Sequence, residues 1–156
     1  MSGTAIWDAL LGSSPATWTL AFGSELNSLA AGYYGLSSVI IAPAQLTDLT
    51  ISVALGSVAP SASGASLAFY WQPLNQDGTS YGDGTPSGSV VPVQNYIGSI
   101  AWPTSATASA LTGFLQVERI VPATSFKLGV VNLLGSALAA SGNTIQIALN
   151  KINLNG

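Results

Sequence analysis

Leu46 to Leu55 reads LTDLTISVAL. Leu49, Ile51, Val53 and Leu55 fall on one parity, and Asp48, Thr50, Ser52 and Ala54 on the other. In a strand, successive side chains point to opposite faces, so this stretch gives one apolar and one polar face. A helix would scatter the same residues around its circumference, because its apolar positions recur every three to four residues. The branched side chains of Ile51, Val53 and Thr50 also suit a pleated surface. The stretch predicts a strand packed on a core by one face.

The same pattern continues on both sides. Upstream, Thr17 to Phe22 (TWTLAF) predicts a strand with Trp18, Leu20 and Phe22 on one face. Ser24 is the expected N-cap of a short helical turn through Glu25, Leu26 and Leu29, with Gly32 able to end it. Leu36 to Ile41 predicts a strand stopped by Pro43. Downstream, Gly56 to Gly64 reads as a loop. Ser66 to Leu74 (SLAFYWQPL) puts Leu67, Phe69 and Trp71 on one face and Ala68, Tyr70 and Gln72 on the other. Both faces carry an aromatic, so both are expected to be covered, or one lies at an interface. Val90 to Val93 reads as a short edge segment broken by Pro92. Asn95 to Trp102 carries large apolar residues in a loop-like setting.

Leu111 to Ile120 predicts a strand with Leu115 and Val117 on one face and Phe114 and Ile120 on the other. Ser125 to Leu134 turns Phe126, Leu128 and Val130 inward. Gly135 to Gly142 is a turn of small residues. Asn143 to Leu154 closes the chain with Ile145, Ile147 and Leu149 on one face. About eight strands, punctuated by 17 glycines and eight prolines, predict an all-β, single-domain β-sandwich of jelly-roll type. The sandwich is expected over 15–156. Residues 1–14 read as an N-terminal arm, whose Ile6, Trp7, Leu10 and Leu11 would share one face of a short helix.

The 156 residues are enough for one core. Only 6% are charged, against roughly 25% in ordinary domains. The net charge of −3 comes from six acids and three bases, Arg119, Lys127 and Lys151. Three bases cannot track a phosphate backbone, so nucleic acid is not an expected partner. Low charge also leaves a lone chain poorly protected against association, whereas interface cores are depleted in charge. The composition therefore favours a surface that meets other protein. Leu128 to Asn150 is uncharged but broken by Asn132, Ser136, Ser141, Asn143 and Gln146, so it is not expected to span a membrane. Without a basic n-region near Met1, the chain reads as soluble and not exported by a Sec signal.

The sequence contains no His and no Cys. Histidine-based triads, thiol nucleophiles and thiolate metal sites are therefore absent. No phosphate-binding loop or dinucleotide fingerprint occurs, and no serine can have a histidine partner. Asp77 and Asp83, in the polar stretch Asn75 to Ser89, each precede glycine and read as turn residues, because the closing acid of a calcium loop is missing. Glu118 and Arg119 point to opposite faces of their strand, within reach of Lys127 and Asp48 respectively. The chain is expected not to be an enzyme and to need neither cofactor nor metal.

Two pieces together, Trp18 through Ser37 and the strand pair ending in Asp77-Gly78 and Tyr81-Gly82-Asp83-Gly84, resemble small virion proteins of tailed bacteriophages. The resemblance covers roughly residues 15 to 85. It implies a head decoration, or cement, protein: made in the host cytoplasm, seated on the outer capsid surface as a homo-oligomer (trimer or dimer), and tying neighbouring major capsid protein subunits together. It supplies no active site. The expected capsid or oligomer contacts are the arm (Ile6, Trp7, Leu10, Leu11), the aromatic strand (Tyr70, Trp71) and the loop aromatics (Tyr81, Tyr96, Trp102). The alternative reading is a tail, fibre or head-surface binding module, with these rings stacking on carbohydrate.

Overall fold

The computed structural model describes residues 17–41, 47–75, 95–121 and 125–151. Its eight strands are β1 (Trp18–Phe22), β2 (Tyr34–Ile41), β3 (Thr47–Val58), β4 (Ser66–Pro73), β5 (Tyr96–Ala101), β6 (Ser109–Val121), β7 (Phe126–Asn132) and β8 (Thr144–Lys151). One sheet runs β1-β8-β3-β6 and the other β2-β7-β4-β5. Every pairing is antiparallel. The pairs nest: first strand with last, second with seventh, third with sixth, fourth with fifth. Successive nested pairs fall in alternate sheets, and the β3–β8 and β4–β7 ladders join them into two four-stranded layers.

The core lies between the layers. Leu49, Ile51, Val53 and Leu55 of β3 and Ile145 and Ile147 of β8 come from one sheet. Leu67 and Phe69 of β4 and Phe126, Leu128 and Val130 of β7 come from the other. All belong to a single buried cluster, as a sandwich requires. The alternation of LTDLTISVAL is thereby realised: its four inward residues are at most 3% exposed.

Three expectations are corrected. First, Trp18, Leu20 and Phe22 do not share a face. Phe22 is fully buried, while Trp18 and Leu20 are exposed. The register against β8 slips between Leu20, opposite Gln146, and Phe22, opposite Ile145. An extra residue in one strand turns the following side chains to the other face. Second, Asn95 to Trp102 is not a loop: β5 pairs with β4 from Ser66↔Ala101 to Phe69↔Gly98. A bulge between Phe69 and Tyr70 hides its alternation, and Asn95 before it holds a φ of 64°. Third, Ser24 is not the cap. Gly23 occupies that position, and its N–H donates to Glu25 Oε2 at 2.8 Å before one 3-10 turn, Ser24–Leu26. The Val90 to Val93 segment and the Asp77–Asp83 loop lie outside the described residues, as do the Glu118 and Arg119 side chains.

Two buried asparagines fasten one end of the sandwich. Asn132 Nδ2 donates to the carbonyls of Leu29 (2.9 Å) and Ser136 (2.8 Å), and its Oδ1 accepts from Leu134 N–H (3.0 Å). Asn143 Nδ2 donates to Ala139 O and Asn27 Oδ1, and its Oδ1 accepts from Gly56 N–H. Both tie the turn after β7 to the chain between β1 and β2.

Candidate contact surfaces

Each sheet has an outer face, and the register fixes what stands on it. On the β3 sheet, one row across the strands is Trp18, Ala148, Thr50 and Gln116. The next is Leu20, Gln146, Ser52 and Phe114. β1 and β6 are opposite edges, about 14 Å apart at the usual strand spacing. Yet the Trp18 and Phe114 rings meet edge-on with centroids 6.3 Å apart. They reach each other because the residues between them, Ala148, Thr50 and Ser52, are small. Thr50 is only 6% exposed despite its outward position. Trp18 (40%), Leu20 (47%) and Phe114 (60%) remain open to solvent. A third row, Ala54 with Thr112 and Thr144, has only small side chains.

On the outer face of the β4 sheet, Tyr34, Ala68 and Val131 form a second buried cluster, with Leu36 and Tyr70 packed against it. The Tyr34 ring lies where a side chain at Gly129 would project, so this ring requires glycine on β7. Tyr70 stands opposite Tyr96 on β5, and their rings pack edge-to-face at 5.5 Å. Tyr96 is half exposed and Tyr70 half-buried. Burial, with a smaller contribution from Tyr96, pushes the Tyr70 phenol above its ordinary pKa.

The structure thus brings two of the expected contact residues, Tyr70 and Tyr96, together on one face. It turns two others inward. Trp71 packs on the core, edge-on to Phe126 at 6.4 Å. Trp102 also packs on the core, and its indole N–H donates to Thr112 O at 2.9 Å. Ile6, Trp7, Leu10, Leu11 and Tyr81 lie outside the described residues. Trp18, Leu20 and Phe114 were not among the expected contacts. Trp18 and Leu20 carry a core signature until the bulge is known. Phe114 is opposed to Leu115 and Val117 by simple alternation, but its partner cannot be named without the strand order.

Among the described residues no group of acids could hold a metal ion, and no helix is long and apolar enough to cross a membrane. No protein-family model, no curated protein and no solved structure matches the chain.

Proposed function

We propose that this chain is a jelly-roll decoration protein of a tailed-phage head, binding the outer capsid surface and tying neighbouring major capsid subunits together. The nested pairing of the two sheets agrees with a jelly roll, which winds eight strands as two Greek keys. The resemblance over residues 15 to 85 supplies the virion context. The observation that carries the reading is the Tyr70–Tyr96 pair, with Tyr96 half exposed and Tyr70 half-buried beside it, on an outer sheet face of a chain with few charges. Tyrosine gives an interface a large apolar area with a polar tip that can find a partner.

The mechanism is adhesive. Covering the open parts of two tyrosine rings removes on the order of 100–200 Å² from water, about 2.5–5 kcal/mol before the costs of association. One such contact is weak, but many copies on one shell act together, and the shell gains cohesion from their sum.

Purified chain mixed with undecorated capsids is expected to pellet with them, and Tyr96→Ser to reduce the bound fraction at least tenfold with the fold unchanged. Chain remaining in the supernatant at saturating capsid would refute the proposal. Binding to a glycan array instead would favour the carbohydrate-binding alternative.

A further inference from the structure

We propose that the outer face of the β3 sheet is a self-association surface, on which two copies of the chain stack face to face about a two-fold axis. The inference does not depend on capsid binding, which is assigned to the opposite sheet. It rests on the chemistry, extent and relief of this face.

The chemistry is that of a surface able to meet its own image. The three rows described above contain Trp, Phe, Leu, Gln, Ser, Thr and Ala, and no charged residue. The outward charge on β3, Asp48, lies beyond them toward the start of the strand. In an isologous contact each patch faces a copy of itself, so any charge near the axis meets a like charge. This face has none to repel. It also concentrates Trp18, Leu20 and Phe114 in one exposed patch, whereas monomer surfaces usually scatter such residues singly. Aromatic enrichment with charge depletion marks the centre of protein interfaces.

The extent is that of a small interface. Four strands at the usual spacing make a face about 19 Å wide, and three to four rows of alternating outward residues, about 6.8 Å apart, run about 20–27 Å along the strands. That is roughly 380–510 Å² in projection, more once the relief of the side chains is included. Two such faces make up to about 1,000 Å² in projection, close to the 1,200 Å² or so at the lower end of stable interfaces.

The relief is self-complementary. The Trp18–Phe114 ring pair stands over Thr50 as a ridge. The neighbouring row, with Ala54 and Thr112 exposed, is low. A two-fold axis in the plane of the interface, crossing the strands between these rows, seats the ridge of each copy in the low row of the other.

Sedimentation velocity of the full chain over micromolar concentrations tests this. Wild type is expected to sediment as a dimer of the 15.7 kDa chain. Phe114→Glu sets two carboxylates near the axis and is expected to weaken the dimer at least 100-fold with an unchanged far-ultraviolet circular dichroism spectrum. Ala54→Arg, at an exposed position on the low row, is expected to do the same, and it decides the matter should Phe114→Glu not fold. A monomeric wild type, a trimer, or a dimer indifferent to the folded variant would each overturn the proposal. Tyr96→Ser is expected to leave the dimer intact, so loss of capsid binding in that variant and loss of dimerisation in the others are read separately.

Discussion

Gly129 shows how a single position can hold a face together. It sits in β7 beneath the Tyr34 ring, which is fully buried. A methyl group there overlaps the ring, and overpacking of this kind costs about 1–3 kcal/mol. Gly129→Ala is therefore expected to lower the unfolding free energy by that amount, read as a fall in the urea midpoint, and an unchanged midpoint would show that Tyr34 can yield. Asn132 acts in the opposite sense, by what its side chain supplies. Asn132→Ala strands the Ser136 carbonyl and the Leu134 N–H at a fully buried site, while the Leu29 carbonyl keeps the Leu138 N–H. A loss of about 2–4 kcal/mol is expected, since each unsatisfied buried group costs about 1–3 kcal/mol and water can enter to recover part of it. Neither role is legible in the sequence. One partner of Asn132 lies 103 residues away and one partner of Asn143 lies 116 away, and nothing local distinguishes these asparagines from turn residues.

Two titrating groups make the stability pH-dependent. The Ser38 hydroxyl donates to the Glu25 carboxylate, as does the Gly23 N–H, and together they hold its pKa below the ordinary value. A carboxyl with a lowered folded pKa stabilises the fold above its unfolded pKa of about 4, and that contribution is lost as pH falls through the folded value. Glu25→Gln is expected to flatten the fall in urea midpoint below about pH 4, and an identical acid limb in both proteins would contradict this. Tyr70 has a raised pKa, so its contribution is present below about pH 10 and disappears as pH rises through the higher folded value. Tyr70→Phe is expected to retain more of its stability in strong alkali than wild type does.

At the scale of elements, β1 separates two roles within five residues. The bulge after Leu20 turns Phe22 into the core and leaves Trp18 and Leu20 outside. Phe22→Ala is expected to cost about 3–5 kcal/mol, the usual penalty for emptying a fully buried aromatic site. Leu20→Ser is expected to change stability by under about 0.5 kcal/mol, as surface substitutions do. Chemical denaturation of the two variants checks this, and equal losses would place Leu20 back in the core. The contrast also explains where the sequence is readable. β3 pairs with a strand on each side and keeps a regular pleat through Ile51, Val53 and Leu55, so its periodicity reports its faces directly. β1 and β5 are edge strands with irregular register, and there the two-residue period breaks. The missed strand Tyr96–Ala101 and the misassigned Trp18 share that cause.

At the scale of the molecule, the inner and outer faces of the sheets differ in how plainly the sequence shows them. The inward residues of both sheets make one core, and the sequence announces it through six stretches of alternation or apolar clustering. The outer faces depend on which strands are neighbours. Trp18 and Phe114 are far apart in the chain and on opposite edges of a sheet, and only the strand order brings their rings together. A contact surface built in this way leaves no motif, which is why the expected contacts included Tyr70 and Tyr96 but also the inward Trp71 and Trp102. The absence of His and Cys, by contrast, is legible at once and bounds the chemistry before any fold is known.

Decoration of a phage head, as proposed, can be read outright in a reconstruction of the virion that carries the chain. The expected density is an eight-stranded sandwich on the outer capsid surface, bridging adjacent major capsid subunits with the Tyr70–Tyr96 face toward the shell. A shell surface without this density, or the sandwich found only in the tail, would contradict it.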